Sequence, residues 1–165
     1  MSSIELVFSS IKNLGDAWSL FIVSIIPFIE LRGAIPFGIL KLGMPWYEAF
    51  LISFISNCIP VPIVILLTRP LFNFLKKTKR LAPLVQKIEA KMMKKSEKVT
   101  KYKIIGLFLF VAIPLPGTGA YSGSVIAALL DMRLKKSIPS IVLGIFVAGL
   151  IISLVSAFGS AALSL

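Results

Sequence analysis

Apolar residues run along this chain in blocks. Residues 49–68 are twenty without a charge, and residues 138–165 are twenty-eight. At 1.5 Å per residue, each block can cross a hydrocarbon core roughly 30 Å thick, so both are predicted as membrane-spanning helices. Four other blocks are short: thirteen residues at 17–29, eight at 33–40, thirteen at 104–116 and eight at 123–130. Such lengths suit half-helices that enter and leave the bilayer from one side. The first two flank Glu30-Leu31-Arg32, and the second two flank Gly117-Thr118-Gly119-Ala120-Tyr121-Ser122. Each pair predicts a re-entrant hairpin, with arms expected to restart near Gly33 and near Gly119.

The blocks therefore repeat as hairpin then span, twice. Both hairpins carry Ile-Pro before an apolar residue, Ile26-Pro27-Phe28 and Ile113-Pro114-Leu115, and then Gly-Ala, Gly33-Ala34 and Gly119-Ala120. With one span entered from outside and the other from the cytoplasm, the halves relate by inversion, and internal duplication is the simplest account. The predicted fold class is an all-α integral membrane protein with an inverted-topology repeat. Each half is a re-entrant helical hairpin plus one transmembrane helix, with a cytoplasmic amphipathic helix between the halves. In a single membrane domain over 1–165, residues 1–16 form an N-terminal interfacial helix and 17–68 the first repeat. Residues 69–103 form the basic cytoplasmic linker helix and 104–165 the second repeat.

Charge gives this arrangement a direction. The net charge is +11, and +10 of it falls in residues 69–103, where twelve Lys or Arg face only Glu89 and Glu97. Between membrane segments such a block reads as a cytoplasmic loop under the positive-inside rule, not as a nucleic-acid surface. Within it Val85, Ile88, Met92, Val99 and Tyr102 recur at helical spacing, predicting a basic amphipathic helix on the inner leaflet, where anionic lipids attract it. If 17–40 and 104–130 were full spans, the chain would be a four-helix bundle with 131–136 opposite that loop. As hairpins they put 131–136 on the same side, and Arg133, Lys135 and Lys136 against Asp131 favour this. Both termini then lie outside.

Composition agrees: 57% of residues are apolar and mean hydropathy is +0.95, which places the chain in the cell (inner) membrane as a multi-pass protein. Residues 1–16 hold Glu5, Lys12 and Asp16 without a basic start or a small-residue cleavage site, so no removable signal peptide is evident. Histidine is absent and Cys58 is the only cysteine. That removes disulfides, thiolate zinc sites and His-dependent catalysis, and no cofactor or metal is implied. An enzyme is not expected. Cys58 reads as a packing residue.

Charged residues at membrane depth are costly and tend to mark a pathway. Arg32, with Gly33 at the restarting arm, is the candidate for an anionic group, and Glu30 for the coupling proton. The alternative is an ion pair that only fixes the tip. The second tip offers Thr118, Gly119, Tyr121 and Ser122 for substrate, with Ser124 nearby, although Gly119 and Gly123 also form a packing motif. Asn57, just before Pro60 and Pro62, either faces a shared cavity or patches backbone groups that those prolines free. The two tips are expected to meet near the bilayer midplane. Gly149, Ser153, Ala157 and Ala161 repeat every fourth residue as a contact seam, against another helix or in a homodimer.

With Glu-Leu-Arg-Gly-Ala-Ile-Pro at 30–36 and Pro-Leu-Pro-Gly-Thr-Gly-Ala-Tyr-Ser-Gly at 114–123, the chain resembles the small multi-drug export proteins over nearly its whole length. That family looks like a compact relative of the DedA membrane proteins. The resemblance implies paired re-entrant hairpins and proton- or ion-coupled transport of an anionic amphipathic substrate such as a lipid phosphate, with Glu30 as the acidic residue of the first hairpin. Multidrug or cation efflux is the alternative that the family name implies. DedA proteins place an arginine in the second hairpin where this chain has Thr118, Gly119 and Ala120, and Arg32 or Arg133 stands in for it. Residues 116–123 are also similar to a loop of undecaprenyl-diphosphate phosphatases, but that loop's arginine is missing here. The expected partners are membrane lipids, the substrate, and protons or cations.

Overall fold

The computed structural model describes residues 15–77, 82–100, 104–115 and 117–163. The interfacial helix expected at 1–16 falls almost wholly outside them, as does Tyr102. Every regular element among the described residues is a helix: α1 (Asp16–Ile25), α2 (Glu30–Leu40), α3 (Trp46–Cys58), α4 (Pro60–Lys76), α5 (Ala82–Thr100), α6 (Ile104–Ala112), α7 (Ala120–Leu129) and α8 (Leu134–Leu163). Two helical runs are long and apolar enough to cross a membrane, Trp46–Lys76 with 31 residues and Leu134–Gly159 with 26. Among the described residues they cover all of 49–68 and 138–159 of the second block expected to span. The chain divides into two compact units, one of 1–57 with 147–165 and the other of 58–146.

In the first unit, α1 and α2 form a hairpin. Pro27 has no N–H to continue α1, and the residue before a proline is pushed out of the helical region; Ile26 accordingly turns extended at φ −64°, ψ 123°. The Ile26 carbonyl then accepts from the N–H groups of Ile29 (3.0 Å) and Glu30 (2.9 Å), closing the turn. The second arm therefore restarts at Glu30, earlier than the expected Gly33, which lies inside α2 with its N–H on the Ile29 carbonyl at 3.0 Å. Pro27, not the Gly-Ala pair, sets the bend. The arms close tightly: a methyl on Gly38 would lie 3.1 Å from Leu20 and from Ala49 of α3. Leu20, Val23, Ala34 and Ala49 form the core. Phe50 of α3 packs on Gly149 of α8, where a methyl would lie 2.7 Å from the ring, so the small-residue seam is at this point an intramolecular contact.

In the second unit, α6 and α7 make the corresponding hairpin. A methyl on Gly123 would lie 2.6 Å from Val111, and one on Gly144 of α8 would lie 2.7 Å from Val111 and 3.0 Å from the Phe108 carbonyl. α4 packs along α7, and α5 lies against α4, α6 and α7. Val85 of α5 is buried while Leu84, Ile88 and Met93 are exposed. Lys76 pairs with Glu89 at 2.7 Å, tying α4 to α5. At the end of α7, Arg69 of α4 donates from Nε to the Ala128 carbonyl (2.7 Å) and from Nη2 to that of Leu129 (3.5 Å). The Ser140 hydroxyl donates to the Ile104 carbonyl at 2.7 Å. The α6–α7 pair thus starts and finishes at one end of its unit.

Candidate functional site

The apex of the α1–α2 hairpin is 26–29, with Phe28 99% exposed. Glu30 follows as the first residue of α2 and is buried. Its φ of +49° is in the left-handed region, which costs an L residue with a side chain roughly 1–2 kcal/mol and is met at sites where surrounding structure enforces it. That turn answers the spacing problem of Glu30 and Arg32, which would not share a face of a regular helix. Their side chains interact electrostatically, and Arg32 is half-buried. A carboxylate in the first turn also complements the positive end of the α2 dipole. The anion-binding character expected at this arm start is thus met, at least in part, by Glu30 itself. Gly33 is held close to Ile29, whose Cγ2 would lie 2.6 Å from an added methyl.

Asn57 lies in the same unit and is fully buried. Its Nδ2 donates to the Ser24 carbonyl (3.1 Å), the Ser24 hydroxyl (2.6 Å) and the Ser53 carbonyl (2.9 Å). The Ser24 hydroxyl donates to the Ser53 carbonyl at 3.3 Å, and that of Ser56 donates to the same oxygen at 3.0 Å. Asn57 thus ties the last turn of α1, next to the tip, onto α3. Sequence reading singled out Asn57 but missed Ser24 and Ser53. The signal was the Ser53 to Asn57 spacing, which puts both on one face of α3.

In the second unit, α7 starts directly after Gly119, as expected, and no side chain caps it. Gly117 at φ +77° and Gly119 at φ +133° make the turn in conformations that suit glycine. The Thr118 hydroxyl is directed at the carbonyls of Leu115 (2.8 Å) and Ile113 (3.0 Å), so it closes its own turn. Tyr121 and Ser122 are half-buried in the first turn of α7. Ser124 is buried and bonds back to the Ala120 carbonyl at 2.7 Å. Gly123 is a packing residue against Val111, whereas Gly119 serves the turn. The first unit thus gathers Glu30 and Arg32 at its tip and Asn57 near it; the second gathers Thr118, Gly119, Tyr121 and Ser122.

The family model described as "Putative small multi-drug export protein" matches residues 30–151, from Glu30 through α8 as far as Ile151. No curated protein and no solved structure matches the chain.

Proposed function

The chain belongs to the family of small multi-drug export proteins, and from that premise we propose that it exports small amphipathic molecules, with Glu30 and Arg32 as its substrate and coupling pair. The observation that carries this is Glu30: a buried carboxylate in a left-handed conformation at a hairpin tip, with Arg32 beside it. Cost of that kind, in an otherwise apolar hairpin, is what a pathway residue bears. The family description supports a transporter over an enzyme, and drug-like cargo over lipid phosphate. An amphipathic cation suits the Glu30 carboxylate, which exchanges it for a proton.

The protein is a membrane protein, and the finer topology belongs to the same proposal. The α1 and α2 arms have ten and eleven residues, α6 and α7 nine and ten. At 1.5 Å per residue none crosses a core of roughly 30 Å. Together with the shared end of α6 and α7, this supports two re-entrant hairpins, two spans and an inverted repeat in the inner membrane. The exposed Leu84 and Ile88 among the lysines of α5 support its lying on anionic lipid.

A second reading keeps lipid phosphate as cargo, because a half-buried guanidinium at a tip suits a phosphate. Proteoliposome flux separates the two. Efflux of an amphipathic fluorescent cation that is lost in Glu30→Gln supports drug export. Movement of a polyprenyl phosphate, lost in Arg32→Gln with no cation flux in the native protein, overturns it.

A further inference from the structure

Among the described residues, three side-chain oxygens of the first unit are fully enclosed and lack a hydrogen-bond partner: Ser153 Oγ on α8, and Asn57 Oδ1 and Ser53 Oγ together on α3. The α3 pair belongs to residues one turn apart on one face of the helix, and both are 0% exposed. The orientation of the Asn57 amide is not arbitrary. Its Nδ2 faces the carbonyls of Ser24 and Ser53, which only accept, so reversing the amide would set oxygen against oxygen. Oδ1 is thereby committed to a direction in which none of the described residues donates. A buried acceptor left that way is costly, and in a membrane chain no bulk water relieves it.

The hydrogen-bonded neighbours of Asn57 contribute oxygens, the hydroxyl and carbonyl of Ser24 and the carbonyl of Ser53. Ser24 stands in the last turn of α1, where the helix presents its negative end. Residue 60 is proline and has no N–H for the Ser56 carbonyl, so the α3 ladder loses a donor beside Asn57. A half-helix C-terminus, an interrupted helix and neutral oxygens are the surroundings in which membrane transporters hold a small cation.

We propose that Asn57 Oδ1 and Ser53 Oγ, with the hydroxyl of Ser24, form a site for a monovalent alkali cation. The donor set selects the charge. It contains no carboxylate, whereas Mg²⁺ and Ca²⁺ sites are built on carboxylates. An occupied site would fix the end of α1, and with it the Glu30 tip, onto α3, making the cation a coupling ion of the exporter. Only that use of the ion rests on the export reading. Lost binding would leave export standing, and lost flux would leave the site standing.

Ser53→Ala is the decisive variant, because it deletes a hydroxyl that makes no bond among the described residues and leaves the Asn57 tie to α1 intact. With purified protein in detergent, Tm should rise saturably with NaCl and not with choline chloride at equal ionic strength. Ser53→Ala should keep the Tm of the native protein in choline chloride and weaken the apparent sodium affinity by about tenfold or more. Equilibrium binding of radioactive sodium to the native protein gives the second measurement, and it should saturate. Equal Tm in the two salts, a sodium response that Ser53→Ala retains in full, or no saturable binding would each overturn the site.

Discussion

Arg69 and Asp131 meet at 2.9 Å although 62 positions separate them in the chain, and the same guanidinium holds the last carbonyls of α7. Those two kinds of contact are unequal. Asp131 is 83% exposed at its side chain, and such surface pairs contribute only about 0–1 kcal/mol. The α7 carbonyls, by contrast, lie at the end of the helix; that of Ala128 accepts from Arg69 Nε–H and also from the backbone N–H of Asp131 (3.2 Å), so Arg69 completes the helix end rather than a surface pair. Asp131→Asn should therefore shift stability little, the more so as its φ of +55° suits asparagine. Arg69→Ala should cost about 1–3 kcal/mol. Thermal unfolding in detergent checks the order, and equal losses would show that the ion pair dominates.

The same contact bears on sidedness. A chain crossing straight through 104–130 would leave Asp131 far from Arg69, on the other side of the membrane. In a background of Cys58→Ser, Lys135→Cys and Lys87→Cys should both react with an impermeant thiol reagent from the cytoplasmic side. Labelling of position 135 from outside alone would restore the four-span bundle.

The division of 17–40 and of 104–130 into two short helices each was legible, because a polar interruption carrying proline or glycine splits each apolar stretch. The position of the first bend was misread, as Gly33-Ala34 looked like the turn while Pro27 had already stopped α1. In the second hairpin the glycines at 117 and 119 do carry the turn, so the same Gly-Ala signal was right there. The left-handed Glu30 was not legible, because glutamate has no preference for that conformation and the turn imposes it. Ser24 and Ser53 were hidden for another reason: a serine in an apolar helix looks like a tolerated packing residue until its partner, here Asn57 of another helix, is known. The tie between Arg69 and α7 was equally invisible, since Arg69 counted only as one charge of the basic block.

Packing of the second hairpin gives a test independent of transport. A methyl on Gly123 meets the end of the Val111 side chain, so Gly123→Ala should cost about 1–3 kcal/mol. Adding Val111→Ala should recover part of that, because the new methyl occupies space the valine leaves. Gly144→Ala meets the Phe108 carbonyl as well as Val111, and Val111→Ala should rescue it less. Thermal unfolding of the two singles and two doubles reads the difference. Equal rescue of both would mean that the backbone contact at Gly144 relaxes freely.

Glu30 allows function and stability to be pulled apart. Glu30→Gln keeps the shape, the left-handed backbone and its strain, while removing the charge beside Arg32. Glu30→Gly removes the charge too, but relieves the conformational cost of φ +49°, about 1 kcal/mol or somewhat more. Both variants should lose flux of an amphipathic cation in proteoliposomes, and glycine should be the more stable of the two. Arg32→Gln should also stop flux, and the double variant Glu30→Gln with Arg32→Gln should regain stability relative to the singles, since no lone charge remains at the tip. A purely structural pair makes the opposite prediction for the double, which would recover flux together with stability. Full flux in that folded double variant would remove Glu30 and Arg32 from the transport site.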